Sequence, residues 1–346
     1  MGAAEVAGLA DPGAPRWPGR LVRLAVAALV VFAGVRLLRG LELERVAATL
    51  HQADLRLFAL AALANLTANM ASRVARAGTL LRALPRPGGP VGFRELAPTI
   101  ILWCAANALL PARAGDALYV ALLHKRHDFA LGGAVAAEIA EKIVQVLSLW
   151  VMALFAVVLI DPAPRVAAPL YGFVGIGFLG LVALLWTGWS ARHIPSGAPP
   201  PEVPVPALAP GRSRLGALGG FLRRLQGSLR LLNAPSVWIR ALGWGCASDL
   251  IDVGMIGLSL AAVGIHVPVG AWFFVLLTVN LALSVPSTPG QVGVHEAAAI
   301  LALSTLRVGV NEALVFALLY HGAHVLPVAA LGLLGLRRGE RSQPAR

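Results

Sequence analysis

The sequence predicts an all-α, polytopic integral membrane protein with about eight transmembrane helices, one re-entrant helical hairpin and a candidate internal pseudo-repeat. Three observations carry that prediction. Hydrophobic residues fill 58% of the 346 positions and charged residues only 13%, where soluble domains carry about 25%. The apolar residues fall in continuous Leu/Ala-rich runs long enough to cross a bilayer. The arginines gather between those runs. A soluble fold of this length has no interior large enough for so much apolar surface. A β-barrel would need alternating segments of about ten residues, which these runs are not.

Taken in order, a tail at 1–20 precedes a first span near 21–38. Arg16, Arg20 and Arg23 precede its apolar run from Leu24 to Val35, Arg36 and Arg39 follow that run, and no clear small-residue cleavage site intervenes. An uncleaved first helix is therefore expected rather than a signal peptide. Further spans lie near 55–72, 134–160, 168–189, 236–262, 268–285, 290–306 and 312–336, all in one membrane domain, 21–336, before a short tail at 337–346. The segment 95–124 departs from the pattern. Its first arm, LAPTIILWCAANALL, can enter a membrane, but the chain breaks at PARAGD and the second arm, ALYVALLH, is too short to cross.

Charge orients the set. Lys and Arg number 29 against 17 Asp and Glu, a net charge of +12. The basic residues concentrate in 73–94 (Arg73, Arg76, Arg82, Arg86, Arg94), after the broken segment (Lys125, Arg126), in 190–235 and in the tail. This is a positive-inside distribution, so nucleic acid is not the expected partner. It predicts a plasma-membrane protein with both termini cytoplasmic, and a segment 95–124 that dips in and returns. Arg36, Arg39 and Arg45 then fall on the outer side, partly offset by Glu42 and Glu44. Within 190–235, PSGAPPPEVPVPALAPG is an extended spacer, and the leucines from Leu215 to Leu232 recur every three or four residues among arginines. That helix is expected to lie on the anionic inner leaflet. Cys104 and Cys246 sit within apolar runs and read as small buried hydrophobes.

A charge inside an apolar run costs roughly 2.5–3.5 kcal/mol on insertion scales and faces protein or a watery cavity. The candidates for a lipid-binding site are Asn107, Arg113, Asp116, Glu138, Glu141, Asp249, Asp252 and Glu296. Glu138 and Lys142 form an i,i+4 pair, which leaves Glu141 to seek a partner, with Arg113 the natural candidate. Two broken segments resemble each other. NALLPARAGDAL carries Pro111, Gly115 and Asp116; SVPSTPGQVGVHEAA carries Pro286, Pro289, Gly290, Gly293 and Glu296. In each, a helix restarts after a Pro/Gly break, and paired breaks in two halves of a transporter mark a substrate site. The bland reading makes Asp116 and Glu296 simple complements to helix N-termini. His295 beside Glu296, with His321 and His324 as HxxH, offers a conceivable metal set. VHEAAAI is not HExxH, however, and no metal is expected. Nothing resembles a P-loop, so neither a nucleotide nor another cofactor is expected.

These stretches, with AVAAEIAEKIVQVLSLWVMAL between them, resemble the lysylphosphatidylglycerol synthase transmembrane-domain family of flippase-like membrane proteins. The resemblance runs through Asn107, Pro111, Arg113, Gly115, Asp116, Glu141, Pro286, Pro289, Gly290, Gly293 and Glu296, over about 20–336. Gln291 stands where the family usually has a second glycine, Gln145 where an Asp often follows the helix Glu, and His321 at a position commonly held by Arg. The chain ends ten residues after Leu336, so lysyl transfer to lipid is not expected. The resemblance implies translocation of a lipid or lipid-linked glycan through a cavity open to one leaflet. Two other classes stand beside it: an intramembrane enzyme of polyprenyl, hopanoid or glycolipid synthesis, and an accessory protein that recruits a glycosyltransferase. Homo-oligomerisation is compatible with each.

Overall fold

The computed structural model describes residues 42–110, 114–159, 171–175, 177, 234–284 and 288–341. Expectations for the first span, the span near 168–189, the proline-rich spacer and the amphipathic helix lie outside the described residues, apart from a helical stretch at 171–175. So do Pro111, Arg113 and Pro286. No strand occurs among the described residues.

Helix α1, Leu43–Gln52, is short and buries none of its residues. Asp54 caps the next helix by accepting from the Arg56 N–H at 2.8 Å. That helix, α2, runs Leu55–Leu81. Its middle turn, Asn65–Asn69, is a π-helix, the kind of interruption often found at functional sites. The sequence signal for it is NLTAN, a polar insert in an apolar run. The expected end of this span near residue 72 is corrected here. The helix continues to Leu81 and carries Arg73 and Arg76 with it. These two arginines are not loop charges. Asn65, Asn69, Arg73 and Arg76 fall at helical spacing on one face, and Arg76 is buried.

The broken segment folds as α3, Phe93–Leu109, and α4, Ala114–Arg126, packed side by side. Its arms are antiparallel. Near the break, Asn107 meets Asp116; one turn down, Trp103 stacks on Tyr119 with ring centroids 4.5 Å apart. At the open end His127 is fully buried. Its Nε2 lies 2.8 Å from the Thr99 hydroxyl and its Nδ1 3.2 Å from Glu95, which also accepts from Arg86. Burial pushes the His127 imidazole below its ordinary value, and the hydrogen bond from His127 holds Glu95 below the usual carboxylate range. Glycine is required at position 115. A Cβ there would lie 2.5 Å from Asn107 Oδ1 and 2.6 Å from its backbone nitrogen.

The remaining described elements are α5, Leu131–Leu159, α6, Pro235–Ala262, α7, Val269–Leu283, α8, Val294–Thr305, and α9, Val310–Arg341. A 3₁₀ turn, Pro289–Gln291, precedes α8. Among the described residues α2, α5, α6 and the part of α9 from Val310 to Leu333 are long and apolar enough to cross a membrane, at 24 to 29 residues each. A helix needs about 20 to span the hydrocarbon core. Helices α7 and α8 are shorter and apolar. Outward faces leave Val158, Leu159, Leu326 and Leu333 exposed, as lipid requires and water does not favour. The fold is that of an all-α polytopic membrane protein.

Candidate functional site

The helices line a partly open cavity of about 260 Å³. Its wall takes Arg73 and Arg76 from α2, Asn107 from α3, Lys142 from α5, Asp252 from α6, Gln291 from the 3₁₀ turn, His295 from α8, and Tyr320, His321 and His324 from α9. Both breaks reach it, and they touch. Gln291 Nε2 donates to the Asn107 carbonyl at 3.3 Å. The resemblance between the two broken segments therefore has a spatial counterpart: they meet over one space.

The charged groups on the wall are mostly basic, and every site acid but Asp252 stands behind it. Arg76 Nε lies 2.7 Å from Glu141 Oε2, with both side chains buried. This is the partner that Glu141 lacked in the sequence; the expected Arg113 lies outside the described residues. Lys142 Nζ sits between Asp116 at 2.9 Å and Glu138 at 3.0 Å, the second being the expected i,i+4 pair. Asp116 Oδ1 also accepts from Trp103 Nε1 at 2.9 Å and Asn107 Nδ2 at 2.7 Å. Such backing lets a cation stay charged in a poorly solvated place, since each buried charge needs a partner and hydrogen bonds to be tolerated.

Around Asp252 the network is denser. Asn69 Nδ2 and His324 Nε2 both reach its Oδ1, the latter at 3.1 Å, while Arg73 Nη2 approaches Oδ2 at 3.7 Å. Asn69 Oδ1 accepts in turn from Ser248 at 2.6 Å and Arg73 Nε at 3.2 Å. Both asparagines of the π-turn, Asn65 and Asn69, are buried here. Asn65 spans to α9 through the carbonyls of Ala323 and His324, at 3.1 and 3.0 Å. Asp249 is buried one turn before Asp252, and its Oδ2 has no hydrogen-bond partner among the described residues.

Glu296 does two jobs. Its Oε2 accepts from the Gly293 N–H at 2.6 Å, closing the first turn of α8, and its Oε1 holds His321 Nδ1 at 2.6 Å. It stands behind His321 rather than on the wall. Three residues just before α8 adopt left-handed backbone: Gly290 at φ 70°, Gln291 at φ 58° and Gly293 at φ 88°. Two are glycines, for which this is free. Gln291 has a Cβ and is strained there.

His295, Glu296 and His321 are the described residues whose ligating atoms gather as a metal set, within 4.8 Å. Their rings argue against one shared ion. His295 and His321 stack 4.3 Å apart at 15°. An imidazole binds a metal along a lone pair in its own ring plane, and two nearly parallel planes share no nearby point. The arrangement suits one histidine held by a carboxylate and covered by the other.

Of the sequence candidates, Asn107 and Asp252 line the cavity; Asp116, Glu138, Glu141 and Glu296 stand immediately behind its cations; Asp249 is buried on the same helix as Asp252. The sequence reading missed Arg73 and Arg76 as site residues, and with them Asn65 and Asn69. Lys142, Gln291, His295, His321 and His324 were noticed without being assigned to the site. The model of the lysylphosphatidylglycerol synthase transmembrane region matches residues 20–332. The chain belongs to that family. The match takes in every described element but the last turns of α9, so the polar cavity lies within the family's membrane region. No curated protein matches the chain. Family membership makes this an integral membrane protein concerned with lipid handling.

Proposed function

We propose that the protein moves a lipid or lipid-linked glycan between leaflets through the polar cavity. The observation that carries this reading is the cavity wall: Arg73, Arg76 and Lys142, each backed by acids, at the point where two broken helices meet. A phosphate is common to phospholipids and polyprenyl-linked glycans. Arg73 is its best anchor, because its nearest carboxylate oxygen stands at 3.7 Å while Arg76 and Lys142 are held at 2.7–3.0 Å. Guanidinium groups suit phosphate by their planar pair of donors. The acyl chains would remain among the apolar outer faces while the head group crosses.

In this reading the chain sits in the plasma membrane with both termini cytoplasmic, and α3–α4 returns to the side it entered from. The anionic inner leaflet is its electrostatic partner. A second copy or a glycosyltransferase is a further candidate partner. The chain performs no bond chemistry of its own. The enzyme alternative would need a nucleophile or metal, and the stacked histidines make a poor metal site.

The test is protein-dependent leaflet exchange in vesicles of phosphatidylethanolamine and phosphatidylglycerol. Two tail-labelled fluorescent probes are used, a phosphatidylglycerol and a polyprenyl phosphosugar, with dithionite quenching of the outer leaflet. Faster exchange of at least one probe, lost in Arg73→Ala, is expected. Exchange of both probes at the rate of protein-free vesicles would contradict the reading.

A further inference from the structure

We propose that the cavity binds a proton at two histidine–carboxylate pairs carried on one face of α9, His324–Asp252 and His321–Glu296, and that lipid movement is coupled to that proton. The proposal rests on the translocation reading above and adds its driving ligand.

Donor counting distinguishes the pairs. His324 Nδ1 faces the Tyr320 carbonyl at 3.3 Å, and its Nε2 faces Asp252 Oδ1 at 3.1 Å. A carbonyl only accepts, as does an ionised carboxylate. Satisfying both contacts takes one proton more than a neutral imidazole and a bare carboxylate hold between them. His321 differs. One proton on Nδ1 serves Glu296, and Nε2 is buried with no hydrogen-bond partner among the described residues. One pair is thus arranged with the extra proton and the other has a vacant acceptor for it. Both histidines line the cavity, at i,i+3 spacing that puts them on one helix face.

The surrounding charges are set for exchange. Helix α6 supplies Asp252, with buried Asp249 behind it. Helix α8 supplies Glu296 and the stacked His295, whose buried Nδ1 also has no hydrogen-bond partner among the described residues. Helix α2 brings the fixed charge of Arg73 to Asp252, with Arg76 beyond it; α3 brings Cys104 and α5 brings Lys142 to the opposite wall. Tyr320 immediately precedes His321 on α9, its ring edge-on to His324 with centroids 4.7 Å apart. Helix α1 and the first half of α2 also pack on α9 but put no ionisable side chain on the wall.

The coupling follows from charge. A proton gained at His321 Nε2 adds one positive charge to the cavity wall and strengthens its hold on a phosphate. By reciprocity a bound phosphate strengthens the hold on the proton by the same factor. Proton and phosphate then enter and leave together, and no other group is consumed.

One proton per lipid makes a quantitative demand. A pH difference of one unit across the vesicle corresponds to tenfold in an equilibrium constant. In the vesicles described above, with the probe that the protein moves, a held gradient of one unit should drive that probe to about a tenfold leaflet asymmetry. Reversing the gradient should reverse the sign. His321→Gln and His324→Gln, which keep a donor for the carboxylate but cannot carry the proton, should bring the ratio to one. Wild-type protein that exchanges the probe yet leaves the ratio near one in both gradients would overturn the coupling and leave the translocation reading standing. Wild-type protein that exchanges neither probe would overturn the translocation reading, and the coupling with it.

Discussion

The two breaks over the cavity are built from different materials. At the first, α3 and α4 close tightly, with Gly115 against the Asn107 backbone and Trp103 stacked on Tyr119. Its acid, Asp116, is bound to a lysine. At the second, the chain passes through three left-handed residues before α8, and its acid, Glu296, is bound to a histidine. The acid of the first break is paired with a lysine, and that of the second with a histidine, whose ordinary range lies nearest neutrality. A pair of similar motifs can thus supply a rigid wall and a responsive one to the same space.

The comparison can be broken most severely where the fixed charges are deepest. Arg76→Ala leaves Glu141 buried without its cation and should destabilise the protein by about 3–5 kcal/mol, read as loss of the monodisperse species during thermal challenge in detergent. Loss well below this range would mean that Glu141 finds another cation and that the α2–α5 contact is not fixed by this pair. Gly115→Ala should follow at about 1–3 kcal/mol or more, because the new methyl meets backbone and cannot displace a flexible side chain. Wild-type stability in that variant would show that the first break is not tightly closed.

The second break should respond in the opposite direction. Gln291→Gly relieves a left-handed residue and should stabilise the fold by about 1 kcal/mol, while removing the hydrogen bond to Asn107. If Gln291 serves to join the two breaks, leaflet exchange slows although stability rises. Joint loss of both would mean that the side chain is structural. A smaller effect belongs to the open end of the hairpin. The His127 value is lowered by burial, so its contribution is complete above the ordinary histidine value of about 6.5 and is lost as pH falls through the lower folded value. Glu95, held low by His127, loses its contribution in the same direction as acid is added. Hydrogen-exchange protection at 95–99 and 124–129, corrected for intrinsic rate, should fall on acidification while that of α6 holds.

Much of this was legible in the sequence, for a physical reason. Long continuous apolar runs favour membrane helices, and the four described helices long and apolar enough to cross overlap runs read from the sequence. The break at PARAGD was visible because proline and glycine interrupt an otherwise helical run. Buried acids were conspicuous because a charge in an apolar run is costly. The basic wall was harder. Arg73 and Arg76 end an apolar stretch, and there a loop and the last turns of a polar-faced helix look alike. The signal that separates them is the helical spacing of Asn65, Asn69, Arg73 and Arg76. The partners of His321 and His324 could not be read at all, since Glu296 and Asp252 come from other helices, 25 and 72 positions away. Only packing brings them together.

The central claim is that lipid passes through the cavity between the breaks. Cys104 is a native probe of it, a free thiol on the cavity wall. In a Cys246→Ser background, a methanethiosulfonate reagent is added to reconstituted protein until mass spectrometry shows one adduct per chain, and leaflet exchange is measured before and after reduction. The account predicts that exchange stops on modification, returns on reduction and is untouched in Cys104→Ser. Full exchange by chains fully modified at Cys104 would contradict it.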